Sequence, residues 1–223
     1  MTDKSEWLNA TIETAIDPEE VIVDPHHHLW DFPTGTYLVP ELHEDTGAGH
    51  NVVQTVFVEC GSAYFEDGPD EMKPVGETEF VLRQALESEA RGGAVISGIV
   101  SFADMTLGDK VEDVLEAHDV AGGGRFRGIR HAVAWDASTA IRESHTKPPE
   151  KLLRNDNFRA GFKKLGEMGF SFDAWMFHPQ LADLVDLVAE LPDTPVVLDH
   201  LGGPLGIGPY AGDRDEVRKV LRP

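Results

Sequence analysis

Short apolar segments alternate with longer amphipathic segments along most of the chain. Six of the apolar segments are rich in β-branched or aromatic residues, and we predict them to be strands: Val21–Asp24, Val52–Cys60, Val95–Asp104, Phe126–Val133, Phe170–Met176 and Pro195–His200. Most of these segments are apolar on both faces, which is typical of strands buried in a parallel sheet. The pattern therefore predicts an α/β fold with at least six strands.

Between the strands, apolar residues recur at the spacing of one helix face. The predicted helices are Glu77–Arg91, Lys110–Val120, two shorter helices within Pro149–Met168, Leu181–Leu191 and Asp213–Leu221. Asp109 and Glu112 predict a capping box for the second of these helices. Strand–helix alternation indicates right-handed crossovers, which suit either a doubly wound sheet or a closed (β/α) barrel. The stretch Phe32–Asn51 is expected to be a long loop on the ligand-binding side of the sheet.

Composition narrows the class of protein. The 223 residues suit one domain, and 19 Lys and Arg against 40 Asp and Glu give a formal net charge of −21. A surface this negative repels phosphate groups, so neither nucleic acid nor an anionic membrane is expected as a main partner. A single cysteine excludes an internal disulfide and a zinc–thiolate cluster. We find no signal-peptide core or membrane-length apolar run, so the expected location is the cytoplasm.

The segment VIVDPHHHLWD, residues 21–31, carries the clearest chemical signal. Because strand side chains alternate, His26 and His28 should point one way and His27 the other. Two imidazoles at positions i and i+2, at the carboxyl end of a strand, can share one metal ion or one substrate group. A loop cluster that only forms hydrogen bonds is the alternative, and we favour the functional interpretation.

The run VDPHHHLWD resembles the His-x-His signature that opens the barrel of the amidohydrolase superfamily, specifically its family 2 branch. Four later segments resemble motifs of that branch in the expected order: ETEF at 77–80, FRGIRH at 126–131, FSFD at 170–173 and LDHLGGP at 198–204. The resemblance extends from about Val21 to Leu221. That branch contains sugar-lactone and pyrone-dicarboxylate lactonases, and related decarboxylases belong to the wider family. The resemblance implies a (β/α)8 TIM barrel, of which this chain would carry about six βα units in a single domain, residues 1–223.

Three further residues become candidates for the active site. The planar fork of Arg130 suits a substrate carboxylate or an oxyanion, and the resemblance implies that it contacts substrate; a structural ion pair is the alternative. The resemblance implies that His200 is the active-site histidine of its strand, against a satisfied buried histidine. His178 either faces the same mouth and binds substrate, or caps the turn before Pro179.

Four carboxylates lie close to these candidates. Glu59 and Asp104 are each near a strand end, where we expect them to bond loop amides. Asp24 and Asp199 should alternate away from the neighbouring histidines and orient imidazoles from behind. None of the four is predicted to take part directly in the chemistry.

The resemblance also implies parts that this sequence lacks. A barrel of this type has eight strands and ~250 residues. Two more strands, with an aspartate that acts as the general base, are therefore expected after Pro223. We accordingly expect a C-terminally truncated barrel with unpaired edges on its first and sixth strands. Such a polypeptide should aggregate, self-associate or express poorly, and its oligomeric state is not predicted.

The predicted function is a hydrolase that opens a small lactone, or a related C–O or C–N bond, by activated water. His26, His28 and His200 would bind and polarise the carbonyl, with His26 and His28 as the ligands of a divalent metal such as zinc. Several lactonases of the branch work without a required metal, so we lean toward weak or absent metal dependence. The substrate should be a small acidic or sugar-derived molecule, drawn to a local positive island. A metal-dependent decarboxylase and an inactive fragment are the alternatives.

Overall fold

The computed structural model describes residues 10–11, 13–212 and 215. Its strands are β1 (Val21–His27), β2 (Trp30–Phe32), β3 (Gly35–Tyr37), β4 (Asn51–Val58), β5 (Val95–Ser101), β6 (Phe126–Arg130), β7 (Ser171–Ala174) and β8 (Val196–Leu198). Its α-helices are α1 (Val39–Thr46), α2 (Val75–Arg91), α3 (Val111–Ala121), α4 (Asp156–Glu167) and α5 (Leu181–Glu190). Short 3₁₀ turns connect several of these elements.

Six strands form one parallel sheet in the order β1-β4-β5-β6-β7-β8. Each strand pairs with the next one along the chain, and a helix lies between most successive pairs. This sequential order is that of a (β/α)8 barrel rather than of a doubly wound sheet, in which the order reverses. The fold is thus an incomplete TIM barrel, as the family resemblance implied, and the described residues contain six parallel strands and the helices between them.

All six predicted strands are present, and most are shorter at their ends than the apolar runs suggested. The predicted division of Pro149–Met168 is confirmed, because a 3₁₀ turn at Leu152–Arg154 precedes α4. The predicted helix Asp213–Leu221 lies outside the described residues, apart from position 215. The sixth strand ends at Leu198, two residues before His200.

The region predicted as a long loop contains structure of its own. β2 and β3 form a small antiparallel hairpin, in which Trp30 stacks on Tyr37 with ring centroids 5.1 Å apart. Helix α1 follows with Pro40 in its first turn, and it buries Val39 and Leu42 completely or nearly so. These elements have three to eight residues, which is too short for a periodic pattern to identify them.

The capping box predicted from Asp109 and Glu112 was wrong. The N-cap of α3 is Lys110, and no side chain accepts a hydrogen bond there. A 3₁₀ segment at Met105–Lys110 leads directly into the helix, so the preceding residues already satisfy part of its first turn. Asp104 instead accepts hydrogen bonds from the backbone N–H and hydroxyl of Thr106, as expected for a carboxylate that bonds a loop amide.

The largest apolar cluster packs β6 and β7 against α3, α4 and α5. Phe172 of β7 lies at its centre, where the rings of Phe158 and Phe162 meet it edge-on at 5.8 and 5.4 Å. A second cluster around Phe57 and Ile99 joins β4 and β5 to α1 and α2. Close packing on the helix side holds the strands rigidly, and this fixes where their carboxyl ends lie.

The two outer strands of the sheet each have one strand neighbour in the described part of the chain. Val21 and Val23 on β1 are 62% and 50% exposed, and Val197 and Leu198 on β8 are 49% and 44% exposed. These are the unpaired apolar edges expected from an incomplete barrel, and the predicted self-association stays a prediction. Among the described helices, none has the length and apolarity needed to span a membrane.

Candidate active site

Three histidines from the two ends of the sheet lie together at the carboxyl end of the strands. The ring of His26 lies 5.0 Å from that of His28, at right angles, and 4.9 Å from that of His200. His27 points to the other side of the strand and forms a 3.0 Å hydrogen bond with Thr55. The alternation predicted for β1 is therefore confirmed, and three of the predicted site residues meet.

Arg130, at the end of β6, joins this cluster from the middle of the sheet. Its Nη1 lies 3.3 Å from Nε2 of His26 and 3.6 Å from Oδ2 of Asp199. Its Nε donates to Oε1 of Glu59 at 2.8 Å, and its Nη2 donates to the Glu59 carbonyl at 2.5 Å. The guanidinium also lies 5.6 Å from the centre of the Trp175 ring. Arg130 is thus held largely by an internal ion pair, and only its Nη1 edge faces the histidines.

Glu59 lies in the site, although the sequence predicted only hydrogen bonds to loop amides for it. Its side chain is fully buried, and its Oε2 lies 3.3 Å from Nε2 of His145, on the loop after β6. Burial by itself would raise the pKa of Glu59, but the nearby imidazole of His145 and the charge of Arg130 outweigh burial and lower it. The sequence shows only that Glu59 is an acidic residue directly after an apolar strand. It does not show that Glu59 pairs with Arg130, which lies far away in the chain.

Two further buried carboxyl groups lie beside Arg130. Asp173 of β7 is paired in register with Arg130, and burial raises its pKa to about 7, with a further increase from the charge of Asp199. Burial also raises the pKa of Asp199, against the opposing charges of Arg130 and His200. With Glu59, three carboxyl groups surround one guanidinium. The local positive island expected from the sequence is therefore not formed by these residues.

Burial shifts the pKa of two imidazoles of this cluster. Burial lowers the pKa of His26 to about 4, and the nearby charge of Arg130 lowers it further. Burial also lowers the pKa of His28. Nδ1 of His28 donates to the Val58 carbonyl at 2.6 Å, which leaves a lone pair on its Nε2. Nε2 of His26 faces Nη1 of Arg130 at 3.3 Å, and its Nδ1 lies 3.9 Å from Oδ1 of Asp199.

One group of these residues has the donor set of a divalent metal site. His26, Asp199 and His200 each place a ligand atom within 4.8 Å of the others. Two imidazole nitrogens with one carboxylate oxygen are ligands that catalytic zinc commonly takes. Oδ2 of Asp199 is buried and has no hydrogen-bond partner in the described structure. The residues fit such an ion, with Asp199 in the group and His28 beside it.

Asp199 and His200 both reach the cluster because the strand has already ended. His200 and Leu201 have φ values of +49° and +55°, in the left-handed region, so side chains no longer alternate there. A Cβ on Gly203 would lie 2.0 Å from the Met176 carbonyl oxygen, so glycine is required where this turn passes the end of β7. The expectation that Asp199 points away from the histidines was therefore wrong, whereas Asp24 only accepts the backbone N–H of His26.

His178 has other neighbours. Its backbone N–H donates to the Gly203 carbonyl, and its Nδ1 accepts the N–H of Leu205 at 3.2 Å. Its ring meets Tyr210 edge-on at 5.0 Å. Within the described residues, no hydrogen bond or ring contact joins it to the histidine cluster. Its predicted role in substrate binding stays a prediction.

A cavity of about 480 Å³ lies between the loop after β6 and the turn before α5. Trp135, Asp136, Gln180 and Tyr210 form part of its wall. Asp136 accepts a 2.7 Å hydrogen bond from the Tyr210 hydroxyl. None of the clustered histidines lines this open cavity, so the histidine cluster and the cavity are separate features.

Comparisons with known proteins agree with this architecture. A family profile described as Amidohydrolase matches residues 23–222. The uncharacterized protein y4mH of Sinorhizobium fredii (strain NBRC 101917 / NGR234) is 29% identical over 203 residues, which are 81% of this chain and 62% of that protein.

Solved structures show the same fold. A zinc-bound amidohydrolase from Burkholderia multivorans matches with a TM-score of 0.63 and 24% identity, over 91% of this chain and 65% of that one. A probable 2-pyrone-4,6-dicarboxylic acid hydrolase from Acinetobacter baumannii, with citric acid bound, matches with a TM-score of 0.54 and 13% identity, over 89% and 64%. The chain thus spans a little under two thirds of the length of these relatives. The family match across residues 23–222 shows that the chain belongs to the amidohydrolase family, in its family 2 branch.

Proposed function

We propose that this chain forms the carbonyl-binding side of a hydrolase that opens a small lactone, or a related ester or amide, with water. The convergence of His26, Asp199 and His200 on one point, with the Nη1 edge of Arg130 beside them, is the observation that carries this proposal. Neutral imidazoles and a guanidinium edge are groups that bind and polarise a carbonyl oxygen. The cyclic ester named for the relative from A. baumannii belongs to the same substrate class.

In the proposed reaction, water adds to the lactone carbonyl carbon, and the ring C–O bond of the tetrahedral intermediate then breaks. Nη1 of Arg130 donates a hydrogen bond to the developing oxyanion, while Nε2 of His28 accepts one from the substrate or the water. A divalent ion held by His26, Asp199 and His200 would supply Lewis-acid polarisation of the carbonyl. The family resemblance expects the general base after Pro223, and we assign no base among the described residues.

The charge of the site favours an uncharged, sugar-derived lactone over a dicarboxylate. Glu59, Asp173 and Asp199 are buried around the single cation Arg130. Arg130 is already paired with the buried Glu59, so a substrate carboxylate would find no uncompensated positive charge among these side chains. Both substrate types were open from the sequence, and we propose the neutral one.

Ring opening in H₂¹⁸O by the full-length protein tests this proposal. We expect one ¹⁸O in the carboxylate formed from a neutral five-membered sugar lactone, and much slower opening of 2-pyrone-4,6-dicarboxylate. His26→Ala should lower kcat/KM for ring opening about 10³-fold. His50→Ala is the matched control, because His50 is exposed and lies outside the site. Release of carbon dioxide without ring opening would replace the proposal with a decarboxylase, and no reaction of any lactone would refute it.

A further inference from the structure

We infer that Glu77 is a positioning residue for this site: it holds the turn after β4, and through that turn it fixes Glu59 and the guanidinium of Arg130. The inference rests on the proposed function only for the role of Arg130 in the reaction. The structural link itself follows from contacts within the chain. Glu77 belongs to the ETEF segment, which the site described above does not use.

One carboxyl oxygen of Glu77 accepts hydrogen bonds from two backbone amides of the turn. Glu77 is the third residue of α2 and is only 1% exposed. Its Oε1 accepts the backbone N–H of Ser62 at 2.6 Å and that of Cys60 at 3.2 Å. These amides belong to the residues immediately after Glu59. This carboxyl oxygen therefore sets the path of the chain as it leaves β4.

The start of α2 is packed directly against the same turn. A Cβ on Gly76 would lie 2.7 Å from both the carbonyl oxygen of Ala63 and the amide nitrogen of Phe65. Gly61 and Ala63 have φ values of +75° and +54°, so the turn bends sharply through the left-handed region. Close backbone contact and two hydrogen bonds make the helix start and the turn one unit.

Glu59 transmits this position to Arg130. Its carbonyl oxygen and its carboxylate both accept hydrogen bonds from the guanidinium, at 2.5 and 2.8 Å. Its own N–H donates to the Val100 carbonyl at 2.9 Å, so the strand side of Glu59 is fixed independently. If the turn after Glu59 relaxes, the carbonyl moves first and Arg130 loses one of its two anchors.

A purely stabilising role accounts poorly for Glu77. Its second oxygen, Oε2, is buried without a hydrogen-bond partner in the described part of the chain. Burying a carboxyl group with one unsatisfied oxygen costs stability rather than adding to it. We therefore attribute the burial of Glu77 to its other oxygen, Oε1, whose two hydrogen bonds hold the turn in position.

The test uses the Arg130 side chain as the reporter. The ¹H–¹⁵N signal of the Arg130 Nε–H, assigned by its loss in Arg130→Lys, should exchange slowly with water in the wild-type chain. Glu77→Ala should speed this exchange by about tenfold or more, because the local opening that exposes the Nε–H becomes easier. Glu77→Gln keeps an acceptor oxygen, so its exchange rate should stay within about threefold of wild type.

Thr78→Val is the matched control. Thr78 is the next residue of α2 and is fully buried, but it bonds Ser101 and His118 instead of the turn. This variant should lower stability without changing the Arg130 exchange rate. An unchanged rate in Glu77→Ala, or an equal increase in Thr78→Val, would overturn the inference. If Glu77→Ala does not fold, Glu77→Asp, which withdraws the carboxylate by one methylene, replaces it under the same criteria.

Kinetics separate this inference from the proposed function. In full-length protein that opens a lactone, Glu77→Ala should lower kcat by about tenfold or more and change KM less than about threefold, because an oxyanion contact acts in the transition state. Glu77→Gln should restore most of kcat. A protein without any lactonase activity would refute the proposed function and leave the exchange result standing. Normal exchange rates in an active enzyme would refute the positioning role alone.

Discussion

The buried His118 and the histidine cluster at the strand ends differ in the partners of their ring nitrogens. His118, on α3, is fully buried, and both of its ring nitrogens have neutral partners. Nδ1 lies 2.8 Å from the Thr78 hydroxyl, Nε2 donates to the Phe102 carbonyl at 3.0 Å, and the ring stacks on Phe126. His118 completes a closed hydrogen-bond network, which is a structural task.

His26 lies in the opposite situation. It remains partly exposed at the strand ends, and its neighbours are His28, His200, Arg130 and Asp199. None of these neighbours forms a closed network with it, and the buried Oδ2 of Asp199 has no hydrogen-bond partner in the described structure.

The difference lies in the partners rather than in the pKa. Burial lowers the pKa of His26 and of His118 alike, in both cases to about 4. A shifted pKa therefore marks burial in this chain and does not by itself mark function. What distinguishes the candidate site is a set of metal-ligating side chains that converge from the two edge strands of the sheet.

The largest expected effect is the loss of activity when His26 of the candidate site is replaced. His26→Ala should lower kcat/KM for lactone opening about 10³-fold in the full-length protein, which is about 4 kcal/mol of transition-state stabilisation. The free energy of unfolding should change little, because the side chain is partly exposed. Steady-state kinetics with His50→Ala as control provide the measurement. A rate within threefold of wild type would place His26 with the structural histidines.

The reverse pattern is expected for the buried network. His118→Leu should lower the free energy of unfolding by about 3 kcal/mol, since it removes the hydrogen bond to the buried Phe102 carbonyl and one of the two hydrogen bonds of the Thr78 hydroxyl. Urea titration measures this loss. The kcat/KM of the folded variant should stay near that of wild type. A large loss of activity without a loss of stability would show that His118 acts in the reaction and not in the core, and would contradict its structural role.

Zinc affinity tests which carboxylate belongs to the candidate site. Asp199→Asn should weaken zinc binding to the purified chain by about tenfold or more, because the amide oxygen carries no charge. Isothermal titration calorimetry measures the affinity directly. Asp104→Asn serves as the control, since that carboxylate bonds Thr106 outside the group. Equal affinities in all three proteins would contradict the assignment of Asp199 as a ligand.

The smallest expected effect is a pH dependence of stability. The pKa of His118 is about 4 in the folded chain and near 6.5 in the unfolded chain, so the unfolded chain binds the proton first as the pH falls. Stability from this group is therefore lost between about pH 6.5 and pH 4. The loss should be about 1 kcal/mol between pH 6 and pH 5. His118→Leu should flatten the slope by that amount, and an unchanged slope would contradict the assignment.

Sequence patterns predicted the main elements because each βα unit carries its own signal. The six apolar runs and four of the helices are long enough for periodicity to be read, and the alternation at His26, His27 and His28 follows from strand geometry alone. Choosing between a barrel and an open sheet required the family resemblance, because local periodicity is the same in both.

The site was predicted less completely, for two physical reasons. Strand alternation fails once a strand ends, so Asp199 and His200 face the same point after Leu198. Buried ion pairs join residues far apart in the chain, as Glu59 and Arg130 are, and local patterns do not show which partners meet. The sequence made Arg130 a candidate, but its contacts to Glu59 could be seen only in the folded chain.

The most direct test of a single shared centre is a double-mutant cycle between His26 and His200. The two residues belong to opposite edges of the sheet and meet only if the account is correct. We expect the double variant His26→Ala/His200→Ala to lose little more kcat/KM than either single variant, because groups that act as one unit are strongly non-additive. Losses that simply multiply would show that the two histidines act independently, and would contradict the central claim.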